Sequence, residues 1–469
     1  MRRAWWLSFT LLVALAAGAW LTLKPAHPKA TGQPLTLLLT CDVDGRLVPC
    51  GCFSGQLGGL TRIATLFGPA TPDQIRVDAG NALSGVTDYQ RLLYGYIQQA
   101  FGKLGYDALN VGEHEACLSA AQLRELKAHS PVPMLSANLI DRSTGAPLFD
   151  TYRIIERDGW RVALVGVLDG HGLGDTLGEG LAVEDMDVAL GRLLPQLKGR
   201  ADFFVLLAFA DEATLTKLAR QFYELDVILG GKVRQPSQEL LKENRSLILA
   251  TTNEARAVGI LQVTWRAPHL LGPLKGEVQL VSDQVAQDPN IAALATAYRD
   301  EIRHTRLAVD DPATLRDDMV PGVQAHNHYA GTQSCVPCHP SAARIWLKSG
   351  HAQAYATLVN RQADADPNCL SCHTVGFGTA SGYRREAGAK SPFLDVGCES
   401  CHGPGGEHVK LRGAGGAADV HFRPVGAGDC QKCHHGEFSR PFDYASFWPE
   451  IAHGKEPAAV KKPPVPSPE

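Results

Sequence analysis

Eight of the twelve cysteines follow one spacing, and each copy ends in histidine: CVPCH (Cys335–His339), CLSCH (Cys369–His373), CESCH (Cys398–His402) and CQKCH (Cys430–His434). Two thiols on one face of a helical turn can take up the two vinyl groups of a haem as thioethers. The adjacent histidine then reaches the iron as proximal ligand. Cys335, Cys338, Cys369, Cys372, Cys398, Cys401, Cys430 and Cys433 are therefore read as haem-attachment residues. His339, His373, His402 and His434 are read as proximal ligands. A single motif of this kind can also be a zinc half-site, but paired zinc sites do not demand the trailing histidine. Four copies within about a hundred residues predict four covalently attached c-type haems.

Each iron has a sixth position. The spare histidines of residues 326–455 are His326, His328, His351, His408, His421, His435 and His453, seven in this third against five in the first 285 residues. His351, His408 and His453 are the leading distal candidates, and His326 or His328 can serve a fourth haem. Two axial imidazoles suit electron transfer, whereas an open sixth position suits small-molecule chemistry. This region is rich in Gly, His and Pro and has few long apolar periods. Haem discs are expected to replace the missing core, so the segment should not fold without them.

The stretches WLKSGHAQAYATL, CLSCHTVGFGTASGY and VGCESCHGPGGEH resemble the tetrahaem cytochrome c family typified by the electron acceptor of hydroxylamine oxidoreductase. The likeness covers roughly residues 326–455. It implies a mostly helical, haem-packed domain with closely stacked haem pairs. It also implies three haems with two histidine ligands and one that can be five-coordinate.

The remaining cysteines pose a different question. Cys41, Cys50 and Cys52 fall within TCDVDGRLVPCGC, and Cys117 stands alone. They belong to a region, residues 35–285, of short apolar runs suited to buried strands: 35–40, 74–80, 107–112, 162–169, 202–210 and 226–231. Amphipathic stretches at 94–105 and 211–224 lie between them. Several runs end in Gly, Asp or Asn, where α/β proteins place their sites.

The stretches TCDVDGRL, GQLGGLTRIATLF, VDAGNALSG, LGYDALNVGEHE, VPMLSANL and DVILGGKVRQP occur in the order seen in calcineurin-like metallophosphoesterases. They most resemble the periplasmic 5′-nucleotidase branch, which includes the thiosulfohydrolase of sulfur oxidation. The resemblance implies a four-layer α/β/β/α sandwich with a two-metal site at the strand ends. The metal motifs depart from that pattern. The family's Asp-x-His pair falls on Asp42 and Asp44, its bridging aspartate on Asn81 and its metal-binding Asn on Glu113. A further His falls on Phe209, and the Gly-His-x-His pair falls on Lys232 and Arg234. Asp42 alone is retained among the ligands, although His114 and Glu115 keep the catalytic-type pattern. Phe cannot ligate, and Lys and Arg repel cations, so no divalent metal is expected here.

In that frame Cys41, Cys50, Cys52 and Cys117 can converge on one mouth. Two structural disulfides are one reading, natural in an exported chain. The other is a remodelled redox or anion site comprising Cys41, Asp42, Asp44, Cys50, Cys52, Asn81, Glu113, His114, Cys117, Lys232 and Arg234. Lys232 and Arg234 would then lower a thiol pKa and attract a small anion, a sulfur species among the candidates. His114, Cys50 and Cys52 are the catalytic candidates of that reading. A solvated loop is the bland account of the basic pair.

The chain has 469 residues, 45% hydrophobic and 20% charged, with formal net charge −4. Length allows two or three domains, and no basic run points to nucleic acid. Residues 1–23 carry Arg2 and Arg3 and then an uncharged run from Trp5 to Leu23. This is the order of an export signal or an N-terminal membrane anchor.

The expected organisation is a signal or anchor at 1–23, a linker at 24–34 and a metallophosphoesterase-like α/β domain at 35–285. A helix and connector follow at 286–325, then a tetrahaem domain at 326–455 and a Pro-rich tail at 456–469. The functional reading is a periplasmic electron carrier with redox protein partners. Its rivals are a multihaem oxidoreductase acting on a small sulfur or nitrogen substrate and an active phosphoesterase fused to a cytochrome.

Overall fold

The computed structural model describes residues 31–49, 56–252, 254–315, 327–415, 424–435 and 442–454. The chain divides into two compact units. One takes the described residues of Met1–Gly45, Ile63–Gly85 and Ile97–Val281. The other takes those of Arg46–Arg62, Val86–Tyr96 and Ser282–Glu469.

The first unit is built on strands. In chain order they are β1 Pro34–Thr40, β2 Gln74–Asp78, β3 Ala108–Asn110, β4 Met134–Leu135, β5 Leu139–Asp141, β6 Ala146–Pro147, β7 Tyr152–Arg157 and β8 Trp160–Leu168. There follow β9 Leu181–Val183, β10 Phe203–Phe209, β11 Val227–Gly231, β12 Leu241–Glu243, β13 Ser246–Ala250, β14 Ala257–Ala267 and β15 Leu270–Leu280. All six apolar runs read from the sequence are strands. One six-stranded sheet has the order β15-β14-β1-β2-β3-β4, and the other β12-β13-β11-β10-β8-β7. The centre of each is parallel, β1 to β4 in the first and β8, β10, β11 and β13 in the second. Antiparallel strands close both edges of the second sheet and the β15 edge of the first.

Parallel strands covered on both faces are apolar throughout rather than alternating. FFVLLAF of β10 is buried at all seven positions. Its outer layer is the helix Met186–Leu197, whose Ala189, Leu190, Leu193, Leu194 and Leu197 pack into the same core as Phe204, Leu206 and Ile228. The helix Glu212–Gln221 adds Leu215, Leu218 and Ala219, and its first turn is capped by Asp211, which accepts from the Thr214 N–H at 2.8 Å.

Polar side chains tie one sheet to the other near the ends of the parallel strands. The Asn110 amide donates to the carbonyls of Ala79 and Val167, both at 2.9 Å. Two glycines at these strand ends allow close approaches. A Cβ at Gly231 would lie 1.9 Å from the Cys41 sulfur, and one at Gly112 would lie 2.2 Å from the Asn81 nitrogen.

The second unit has a different texture. Its longest helix, Pro289–His304, starts at Asp288, whose side chain accepts from the N–H groups of Asn290 and Ile291. The Asp288 N–H donates to the Thr61 carbonyl at 2.7 Å, and Tyr96 packs edge-on against Tyr298 at 5.8 Å. Residues flanking Cys50 and Cys52 thus group with this unit, not with the strand frame. Beyond residue 327 the helices are short, four to nine residues. The apolar cluster is small: Tyr355, Leu358, Ala363, Leu370 and Tyr383. Polar clamps supplement it. Arg303 pairs with both carboxylate oxygens of Asp364 at 2.9 and 2.7 Å, and Arg385 with Asp310 at 3.0 Å. Buried Glu399, inside the third C-x-x-C-H motif, accepts the N–H groups of Ala330, Gly331 and Gly405 at 2.7–2.8 Å. Its carboxylate therefore pins the third motif to the chain just before the first.

Among the described residues no helix is long and apolar enough to cross a membrane. The expected signal or anchor, residues 5–23, lies outside them, as do Cys50, Cys52, His326 and His421.

Candidate haem centres and a strand-end site

Each C-x-x-C-H motif lies on or beside a short helical turn. In the first and fourth, the histidine N–H donates back to the first cysteine carbonyl: His339 to Cys335 at 3.0 Å and His434 to Cys430 at 2.8 Å. Three of the C-x-x-C-H histidines face the three leading distal candidates. His339 and His408 have ring centroids 6.4 Å apart, His434 and His351 6.0 Å, and His402 and His453 5.7 Å. Two imidazoles on one metal, each bonded at about 2 Å with a ring centre about 1 Å further on, are separated by roughly 6 Å. The residues present therefore fit axial ligation of an iron between each pair. Burial lowers the pKa of His351, His402 and His408, which favours the neutral ring that ligates.

The remaining C-x-x-C-H histidine, His373, is oriented by its Nδ1, 2.7 Å from the Ala354 carbonyl and 3.4 Å from the Thr357 hydroxyl. Such a contact leaves Nε2 for the metal. His328 packs its ring against Gly406 and accepts that residue's N–H on its own carbonyl at 2.9 Å.

The attachment thiols pair between motifs. Cys335 lies beside Cys398, and Cys372 beside Cys433. The first motif thus lies beside the third, and the second beside the fourth.

The first unit gathers the other candidates at its strand ends. Asp42 and Asp44 follow β1, Asn81 follows β2, and Glu113 and His114 follow β3. Asp169 and His171 follow β8, Lys232 follows β11 and Thr252 follows β13. Asp42, Asp44, Asn81 and Lys232 all have positive φ, between 48° and 62°. Asp and Asn tolerate this conformation, but Lys does so at a cost. Asp42 accepts from the Asn81 amide at 3.3 Å and from the Thr252 hydroxyl at 3.1 Å. Asn81 accepts the His114 N–H at 2.8 Å. The His114 ring lies 2.8 Å from the Leu83 carbonyl and 3.5 Å from Asp44. The Asp44 carboxylate, and to a lesser degree that carbonyl, raise the pKa of His114 to about 9 against the opposing effect of burial.

Lys232 forms ion pairs with Glu113 and, at 3.7 Å, with Asp169, and donates to the His171 carbonyl at 3.2 Å. Beneath these groups Glu115 is buried and accepts three backbone N–H groups, from Gly112, Asn81 and Leu83. Burial nevertheless raises its pKa and that of Asp78. Among the described residues no three His, Cys, Asp or Glu side chains converge as metal ligands. An ammonium ion already sits between two of the carboxylates. The residues present do not fit a two-metal centre.

Comparison with known proteins assigns both regions. Residues 334–403 match the family profile described as cytochrome c554 and c-prime. The chain joins a 5′-nucleotidase-like region to a cytochrome c554-like one. Cytochrome c-554 of Nitrosomonas europaea is 36% identical over 101 residues, 18% of this chain and 43% of that protein. The 5′-nucleotidase of Rattus norvegicus is 26% identical over 336 residues, 65% of this chain and 57% of that protein. The 5′-nucleotidase precursor of Thermus thermophilus shares the fold, with TM-score 0.50, 24% identity, and coverage of 58% of this chain and 59% of that one. The chain thus spans about half the length of the relatives it matches.

Two expectations for the nucleotidase-like region need correction. Cys41 is not an activated thiol. It is fully buried, its Sγ donates to the Gly80 carbonyl at 3.5 Å, and burial together with Asp78, Asp42 and Glu115 drives its pKa well above the ordinary thiol value. Nor do Lys232 and Arg234 form a free basic pair. Lys232 is committed to carboxylates, and Arg234 is exposed with its backbone N–H on Glu212. Cys41 and Cys117 are both free thiols. Asp169, His171 and Thr252 escaped the sequence reading. Asp169 could have been found as the acidic residue closing the run VALVGVLD.

Proposed function

We propose that this chain is an exported tetrahaem c-type cytochrome that carries electrons to or from protein partners outside the cytoplasm. Its nucleotidase-like region, with the four-layer α/β/β/α build of that fold, is non-hydrolytic and serves in docking a redox partner. The observation that carries the reading is the facing of His339, His434 and His402 by His408, His351 and His453 at iron-bridging separations. Irons with two imidazole ligands change oxidation state without binding substrate, which suits a carrier. The four attachment motifs supply the haem count, and the relatives named above, together with the signal-like residues 1–23, support export. A small anion at the strand-end site is a weaker option, because Lys232 is already neutralised.

Haem content and spin state of protein matured in an exporting host test the proposal. The expected result is four haem irons per chain, at least three of them low-spin. His408→Ala should convert one low-spin centre to high-spin in electron paramagnetic resonance. Fewer than four irons, or a spin count untouched by this substitution, would overturn it. Hydrolysis of 5′-AMP by the metal-supplemented protein would overturn the non-hydrolytic assignment separately.

A further inference from the structure

Lys232 links the two sheets by charge. It stands one residue beyond β11 of the second sheet, with φ +62°. Its ammonium has three donors, and three oxygens surround it: Glu113 Oε1, the His171 carbonyl at 3.2 Å and Asp169 Oδ2 at 3.7 Å. Glu113 follows β3 of the first sheet and Asp169 follows β8 of the second. The Lys232 side chain is only 26% exposed, Glu113 27% and Asp169 8%. The Thr252–Asp42 hydrogen bond spans the same two sheets, and the Lys232 backbone N–H is directed at the Cys41 sulfur. A lysine held in a left-handed conformation is costly, and such strain persists where the surroundings impose it. Here the backbone conformation accompanies a side chain lodged between two carboxylates.

We propose that the Lys232 ammonium is the resident cation of the strand-end site. It neutralises Glu113 and Asp169, holds the two sheets together at that point and excludes a divalent ion from the position it fills. Without it, Glu113 and the buried Asp169, from different sheets, would face each other with only the His171 ring, 2.7 Å from Asp169, as a cationic partner when protonated. That arrangement either repels or recruits a hard cation through its oxygens. Lys232 is a positioning residue in this account, with no part in bond-making. The inference deepens the non-hydrolytic reading of this domain.

The test uses the full-length haem-loaded protein and Lys232→His, which keeps bulk, tolerates positive φ and supplies a neutral ligand near pH 8. Lys232→Arg serves as the charge-preserving control. Mn²⁺ is the probe, read by melting temperature against chelator and by bound manganese after gel filtration. Wild type and Lys232→Arg are expected to bind none and to melt alike with and without Mn²⁺. Lys232→His is expected to melt lower in chelator, to bind one Mn²⁺ per chain and to recover by about 5 °C at saturating metal.

Manganese bound to wild type would overturn the proposal, as would a Lys232→His protein as stable in chelator as wild type. A destabilised variant that ignores Mn²⁺ would also overturn it, because Lys232 would then be an ordinary ion pair. Should Lys232→His fail to fold, the wild-type and Lys232→Arg titrations still decide the exclusion of metal. Hydrolytic activity in wild type would instead sink the broader reading. Silence of wild type combined with silence of the variant would sink this inference alone.

Discussion

The strand frame and the haem region reach order by different means. In the frame, β10 buries seven consecutive residues, and one helix stacks five apolar side chains over the same core. Its stability comes from apolar area removed from water, about 25 cal/mol per Å², and from a hydrogen-bonded ladder in each sheet. The haem region has a five-residue apolar cluster and helices of four to nine residues after residue 327. Isolated helices of that length are not stable in water. Polar clamps such as Arg303–Asp364 and Glu399 with its three backbone donors set the path of the chain. The apolar bulk must come from the prosthetic groups. One region carries its core in its sequence, and the other carries the attachment points for one.

The sharpest way to break this contrast is to withhold haem. Protein made without haem attachment should lose amide protection across the described residues of 327–454, while the strands from β1 to β14 keep theirs. Hydrogen-exchange mass spectrometry reads both halves at once. Equal protection of the haem region in both preparations would show that it has a core of its own.

A smaller effect sharpens the other side. Gly231→Ala should cost the strand frame about 1–3 kcal/mol by overpacking, because the new methyl meets the Cys41 sulfur 1.9 Å away. The haem spectrum should not move. Adding Cys41→Ala should recover most of the loss. If the double variant melts no higher than Gly231→Ala alone, the sulfur is not the obstacle.

The smallest expected effect is a pH dependence confined to the frame. His114 has its pKa raised from 6.5 to about 9 by Asp44. A group raised in the folded state contributes stability that is fully present below about 6.5 and is lost as pH rises through about 9. The difference in melting temperature between wild type and His114→Gln should therefore shrink from pH 6 to pH 10. A difference that grows over this range would reverse the sign and remove Asp44 as the cause.

Much of the architecture could be read from local pattern. Parallel strands announce themselves as continuous apolar runs, so 35–40, 202–210 and 226–231 emerged as β1, β10 and β11. The pairing of edges did not, because β14 and β15 are antiparallel strands whose mixed burial resembles a surface loop. His351, His408 and His453 stood out in the sequence only as a set, through an excess of histidine. Which one faces which motif histidine depends on chain separations that no local pattern encodes. The strand-end site was legible in position but not in sign. Lys232 looked like a free cation because Asp169 lies 63 residues away in sequence, and the burial of Cys41 is invisible in a motif.

The sequence by itself carried the chemistry each region can offer: four C-x-x-C-H motifs, and strand ends where Asn81, Glu113, Phe209, Lys232 and Arg234 stand at positions the 5′-nucleotidase resemblance assigns to metal ligands. Those properties are carried by residue type and by spacing within one helical turn or one strand. Tertiary structure alone decided which histidine faces which, that the Cys41 thiol is buried and protonated, and that Lys232 is neutralised by Glu113 and Asp169. Electrostatic and coordinative partners act over a few ångströms of space, and the folded chain brings together at that range residues that are far apart along it.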